Sequence, residues 1–160
     1  MPRMIGALLI LIASGAAGFA ASRLFYQRVL QLEAFTRLIS HIAAEIDSFS
    51  SPLDRIFGGY RDETLEKCGF LPALRRSGGA AALDECGGRL YLTAAERAEL
   101  VKFLGGIGRR GRDETARHCA YYEKRLAALA QSARGELAGR MKVCRTLGLL
   151  AGAMLAILLL

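Results

Sequence analysis

FYQRVLQLEAFTRLISHIAAEIDSF, Phe25 to Phe49, decides the fold. Its apolar positions fall at Phe25, Val29, Leu32, Phe35, Ile39, Ile42, Ile46 and Phe49. Steps of three and four put them on one face of an α-helix, not on a strand. The stripe stops at Ser50-Ser51-Pro52. There Ser51 is placed to cap a second helix and Pro52 suits its first turn. Leu53, Ile56 and Phe57 give that helix a short apolar face before Gly58-Gly59 ends it.

Upstream the pattern runs without a break into MIGALLILIASGAAGFAAS, Met4 to Ser22. These residues carry no charge and would extend roughly 28 Å as a helix, close to the thickness of a bilayer's hydrocarbon core. A cleaved secretory signal is the competing reading, since Gly18, Ala20 and Ala21 are small. The length of the run and the lack of a breaker after it favour an uncleaved transmembrane helix. The far end of the chain mirrors it. Leu147 to Leu160, LGLLAGAMLAILLL, is uncharged and would reach about 21 Å. Extension back to Val143, with Arg145 snorkelling, lengthens this second membrane helix. Small residues at i, i+4 spacing, Ser14, Gly18 and Ser22 in the first segment and Gly148, Gly152 and Ala156 in the second, mark candidate faces for membrane helix packing.

The residues between the anchors hold the charge. Of 22 Lys and Arg, all but Arg3 lie in 23–146, as do all 15 Asp and Glu, a net +6. A basic body of this kind suits anionic lipid, nucleic acid or an acidic protein surface. Arg23, Arg28 and Arg37 follow the first anchor, and Arg134, Arg140, Lys142 and Arg145 precede the second. The bias of basic residues then places the middle in the cytoplasm and both termini outside. The expected organisation is a short outer N-terminus (1–3), transmembrane helix 1 (4–22), a basic cytoplasmic helical domain (23–146) and transmembrane helix 2 (147–160). The four cysteines, with no CxxC pair, read as free thiols of a reducing compartment.

Gly69, Pro72, Gly78-Gly79 and Gly87-Gly88 punctuate the middle, predicting short helices near 62–76 and 79–86. Thr93-Ala-Ala-Glu96 is a capping box that opens a helix bearing Leu100, Val101, Phe103 and Leu104. Next, Gly105, Gly106, Gly108 and Gly111 interleave with Arg109, Arg110 and Arg112. This is not a phosphate-binding loop: the GK[ST] ending and a preceding strand are missing. It reads as a basic turn and as a candidate surface for a partner or for lipid. Asp113 or Thr115 begins the last helix, whose stripe of Tyr122, Leu126, Leu129, Ala133, Leu137, Met141, Cys144 and Gly148 runs on into the second anchor. No alternating strand pattern occurs. The fold class is therefore all-α, a membrane-anchored helical bundle. Two long antiparallel helices each continue into a transmembrane segment, with short helices between them.

No reaction chemistry is legible. His41 and His118 are isolated, and the adjacent pair His118-Cys119 points in two directions on a helix, so no metal site follows. Glu45 adjoins the apolar face of the first helix, where a surface salt bridge is its default role. No cofactor or metal is implied, and the chain reads as a non-enzyme. A membrane-tethered nucleic-acid-binding protein is the alternative that the charge raises. Nucleic acid is the weaker partner, because no helix-turn-helix or RNA-binding motif stands out.

The chain resembles the stage III sporulation protein AB family of endospore-forming bacteria. The resemblance rests on RMKVCRTLGLLAGAMLAILLL (Arg140 to Leu160), on IGALLILIASGAAGF (Ile5 to Phe19) and on Glu45-Ile46 followed by Pro52-Leu53, in that order along the whole length. One feature departs from the family pattern. Leu104-Gly105 and Ile107-Gly108 are present, but Asp113 comes late and Arg117 stands where the family has glutamine. The resemblance implies a scaffold in the channel complex between mother cell and forespore, on the mother-cell side. It also implies a cytoplasmic domain similar to the F-type platform proteins of type II secretion, and docking of a cytoplasmic secretion-type ATPase. Other channel proteins, the membrane and further copies of the chain are the remaining implied partners. A general secretion or pilus platform component is a second alternative.

Overall fold

The periodicity of Phe25–Phe49 produces the long first helix, α1 (Pro2–Phe49). Val29, Leu32, Phe35, Ile39, Ile42 and Ile46 are buried. Ala34 and Leu38 are buried as well, which widens the stripe to about half the helix circumference. A helix buried that broadly needs cover on several sides, and the short helices supply it. The computed structural model describes residues 2–49, 53–107 and 111–159. Side chains are described from 22 to 46, 53 to 107 (Asp54 apart) and 111 to 139, and at scattered positions in the flanking helix segments. The expected cap at Ser51 and Pro52 lies outside these residues.

Six further helices follow: α2 (Leu53–Gly59), α3 (Glu63–Lys67), α4 (Phe70–Ser77), α5 (Ala81–Glu85), α6 (Ala94–Gly106) and α7 (Arg112–Leu159). A 3-10 turn, Gly87–Arg89, sits between α5 and α6. No strand occurs among the described residues, so the all-helical expectation holds. The predicted helix over 62–76 is in fact two. Gly69, at φ +82°, breaks it and starts α4. A side chain at this position would be strained, and its Cβ would also stand 3.1 Å from the Arg89 guanidinium.

The chain divides into two units, Met1–Gln27 with Ala133–Leu160, and Arg28–Ser132. In the second unit one core gathers every helix. Phe35 meets Phe70 edge to face at 4.8 Å. Leu65, Leu71, Leu83, Leu100, Phe103 and Leu126 fill in around this pair. Polar clips fix the short helices. Asp62 caps α3 by accepting from the Thr64 and Leu65 amides at 3.0 and 3.2 Å. Its other oxygen accepts from Arg37 of α1 at 2.6 Å. Arg75 of α4 donates to the carbonyls of Phe57 and Tyr60 at the end of α2, at 3.2 and 2.8 Å.

In the first unit many of the large apolar side chains that are described stand on the outside. Leu24, Val143, Leu147, Leu150, Met154 and Ile157 are all exposed. Among the described residues, no helix is long and apolar enough to cross a membrane. Much of 4–22 and several positions of 147–160 lie outside the described side chains.

Candidate functional site

Arg28 and Gln31, one turn apart on α1, are polar positions beside the core of the second unit. Gln31 reaches the connection between α5 and α6, and Arg28 reaches the first turn of α6. The site starts with the capping box at the head of α6. Thr93 has extended backbone, and its hydroxyl accepts from the Glu96 amide at 3.3 Å. The Glu96 carboxylate accepts from the Thr93 amide at 2.7 Å. This is the reciprocal pattern that the sequence predicts. The structure adds a third partner. Arg28 donates to Glu96 from Nε at 3.1 Å and from Nη2 at 2.6 Å. Glu96 is only 2% exposed, so this fork is a buried, charge-assisted pair. Burial pushes the Glu96 carboxyl up. The hydrogen bonds from Arg28 and Thr93 together outweigh burial and hold it below the usual carboxylate range.

Gln31 completes the clamp. Its amide donates to the Arg89 carbonyl at 3.0 Å and accepts from the Tyr91 amide at 2.7 Å. The side chain thus pairs with residues 89 and 91 as a neighbouring strand would, and satisfies backbone that no helix serves. Arg97 of α6 closes the other side by donating to the Leu83 carbonyl at 3.0 Å and to Asp84 at 2.9 Å. These contacts fix where α6 starts relative to α1.

At its far end α6 is fixed by aromatic packing. His118 of α7 stacks on Phe103 at 5.6 Å and lies 4.8 Å from the Tyr122 ring. Its Nε2 is 3.2 Å from the Phe103 carbonyl. Gly106 makes the room: a Cβ there would stand 2.7 Å from His118. The glycines after Leu104 therefore have a packing role at Gly106, and the histidine that looks isolated in sequence is a partly buried ring packed on Phe103.

Beyond this cluster α7 turns an exposed face outward. Arg117, Tyr121, Lys124 and Arg125 share it at spacings of three and four. Tyr121 is 61% exposed. Of the predicted partner surface, Arg112 is exposed at the start of α7, and Arg109 and Arg110 lie outside the described residues. Gly18 and Ser22 are buried, Gly148 is partly buried, and Ser14, Gly152 and Ala156 lie outside the described side chains. Glu45 is half-buried on α1. No group of three or more His, Cys, Asp or Glu is placed to hold a metal among the described residues. All four cysteines are free. Burial pushes the Cys119 thiol up to about 11 and raises those of Cys68 and Cys86.

Sequence reasoning missed the roles of Arg28 and Gln31. The signal was there: both interrupt the apolar face between Phe25 and Leu32, and a polar residue at such a place needs a partner.

The family model for stage III sporulation protein AB matches residues 3–73 and 79–160. The chain belongs to the stage III sporulation protein AB family. The match takes in both apolar ends, the α1 clamp residues, the capping box and the His118 cluster. Between its two stretches it passes over 74–78, the end of α4 and the start of its glycine turn. No curated protein and no solved structure matches the chain. Membership makes it a sporulation-related protein.

Proposed function

We propose that the chain is a non-enzymatic membrane scaffold of the channel complex between mother cell and forespore. In this reading both ends sit in the bilayer, the termini lie outside and the Arg28–Ser132 unit stands in the cytoplasm on the mother-cell side. There the unit docks a cytoplasmic secretion-type ATPase. The observation that carries the proposal is the family match, which spans the two uncharged ends as well as the charged middle. Two features of the molecule support it. The large apolar residues of the first unit point outward, where lipid would cover them. The second unit is a tightly clipped body whose α7 exposes Arg117, Lys124 and Arg125 on one face, a suitable dock for an acidic protein surface.

The docking face is Arg109, Arg110 and Arg112 with the adjoining α7 face of Arg117, Lys124 and Arg125. Full-length protein, extracted in mild detergent, should capture a secretion-type ATPase from the same sporulating cells. Charge reversal at the three turn arginines should lower capture about tenfold or more and reduce spore formation, because opposed like charges cost several kcal/mol. Undiminished capture and normal sporulation by that variant would refute docking through this face.

A further inference from the structure

Within the Met1–Gln27 and Ala133–Leu160 unit a cleft of about 260 Å³ opens between Phe19, Ser22, Arg23 and Tyr26 of α1 and Met141 of α7. Its walls are mostly apolar. Ser22 does not change that, because its hydroxyl donates to the Phe19 carbonyl at 2.7 Å and is spent within the helix. Among the described lining residues, Arg23 and Tyr26 carry the polar groups that could meet a ligand. Arg23 lies over the Phe19 ring at 5.5 Å, and no ion pair to it occurs among the described residues. Phe19 and Tyr26 are 50% and 48% exposed. Phe19, Arg23 and Tyr26 follow one another at steps of four and three, so they share one face of α1.

Position along the chain adds a second argument. Arg23 is the first charged residue after the uncharged run 4–22. If that run lies in hydrocarbon, Arg23 and Tyr26 stand at headgroup depth, where basic and aromatic residues anchor. The cleft is somewhat smaller than the pockets of about 300 Å³ upward that enclose a small molecule. It has room for a length of acyl chain and not for a whole lipid.

We propose that this cleft is a binding site for one anionic phospholipid. The phosphate is held by the Arg23 guanidinium and the Tyr26 hydroxyl, and part of one acyl chain lies along Phe19, Ser22 and Met141. The inference rests on the membrane reading made above and adds a specific site to it. Charge complementarity selects the occupant: the Arg23 cation beside an apolar slot matches an anionic headgroup joined to a chain.

The test is native mass spectrometry of the full chain released from bilayer discs of mixed phosphatidylglycerol and phosphatidylcholine. Wild type should retain one phosphatidylglycerol in preference to phosphatidylcholine. Arg23→Gln should lower that retention about tenfold, the loss of one charge-assisted contact, and Arg23→Lys should keep part of it. Met141→Trp, which fills the slot, should lower it with the charge intact. Lys142→Gln, which removes an exposed neighbouring cation that does not line the cleft, should leave it unchanged. Equal losses in Arg23→Gln and Lys142→Gln would mean diffuse surface attraction and would overturn the site. So would unchanged retention in Met141→Trp. A chain that inserts into the discs but shows no preference overturns the lipid site and leaves the membrane reading standing. A chain that never inserts overturns both.

Discussion

The two units handle apolar surface in opposite ways. In Arg28–Ser132 the large side chains are turned inward, and Phe35, Phe70, Phe103 and nine leucines and isoleucines beside them are essentially sealed from solvent. In Met1–Gln27 with Ala133–Leu160 they are turned outward: Leu147, Leu150, Met154 and Ile157 are between 61% and 75% exposed. The same residue types therefore do two jobs. Inside the second unit they drive folding by leaving water. On the first unit the described ones leave a surface that water does not favour, which the proposed membrane reading covers with lipid.

Paired substitutions sharpen this contrast. Phe35→Ala should destabilise the second unit by about 3–5 kcal/mol, through the lost ring and the cavity left behind. Leu150→Ala, on the outer face of the first unit, should change the unfolding free energy by less than about 0.5 kcal/mol. Denaturant unfolding of the full chain in detergent compares them directly. Equal losses would break the contrast.

The Arg28–Glu96 clamp gives the next largest effect. Glu96→Ala should cost about 1.5–3 kcal/mol, because it leaves the Arg28 fork without its acceptor and uncaps α6. The pair also sets a pH dependence. The folded Glu96 carboxyl titrates below its ordinary value of 4.5, so its contribution is complete above that value. The contribution is lost as pH falls through the lower, folded one. Wild type should therefore lose stability relative to Glu96→Gln as acid is added below about pH 4.5. A difference between the two that stays constant across that range would rule out this role for the pair.

Gly106→Ala should cost about 1–3 kcal/mol by pushing His118 off the Phe103 ring. The ring-current shifts of the His118 protons report it independently of stability. The smallest perturbation is chemical. A thiol reagent near neutral pH should label Cys144 first and leave Cys68, Cys86 and Cys119 protected until unfolding, since these three are buried with raised thiol pKa values.

What the sequence makes legible follows from range. The α1 stripe and the Thr93–Glu96 capping box depend on residues within one or two turns of each other; the box stands in the structure as read, and the stripe is buried from Val29 to Ile46. The Arg28–Glu96 fork joins positions 68 residues apart, a pairing that only the folded core creates. The same holds for Gln31 with Arg89 and Tyr91. The split of the expected 62–76 helix at Gly69 is a middle case. The glycine was visible, but the left-handed φ of +82° that makes it necessary was not. His118 looks solitary along the chain because its ring partners, Phe103 and Tyr122, meet it from another helix and from one turn on. The partner surface was read from charge alone. Only Arg112 of its three arginines lies among the described residues, so charge still carries that assignment.

The contrast between the units turns on what covers the outward apolar face of the first one, and alkaline extraction of membranes from cells making the full chain tests this most directly. The account predicts that the wild-type chain stays in the membrane pellet at high pH, and that Leu147→Glu with Leu150→Glu moves it toward the supernatant. Release of the wild-type chain into the alkaline supernatant would contradict it.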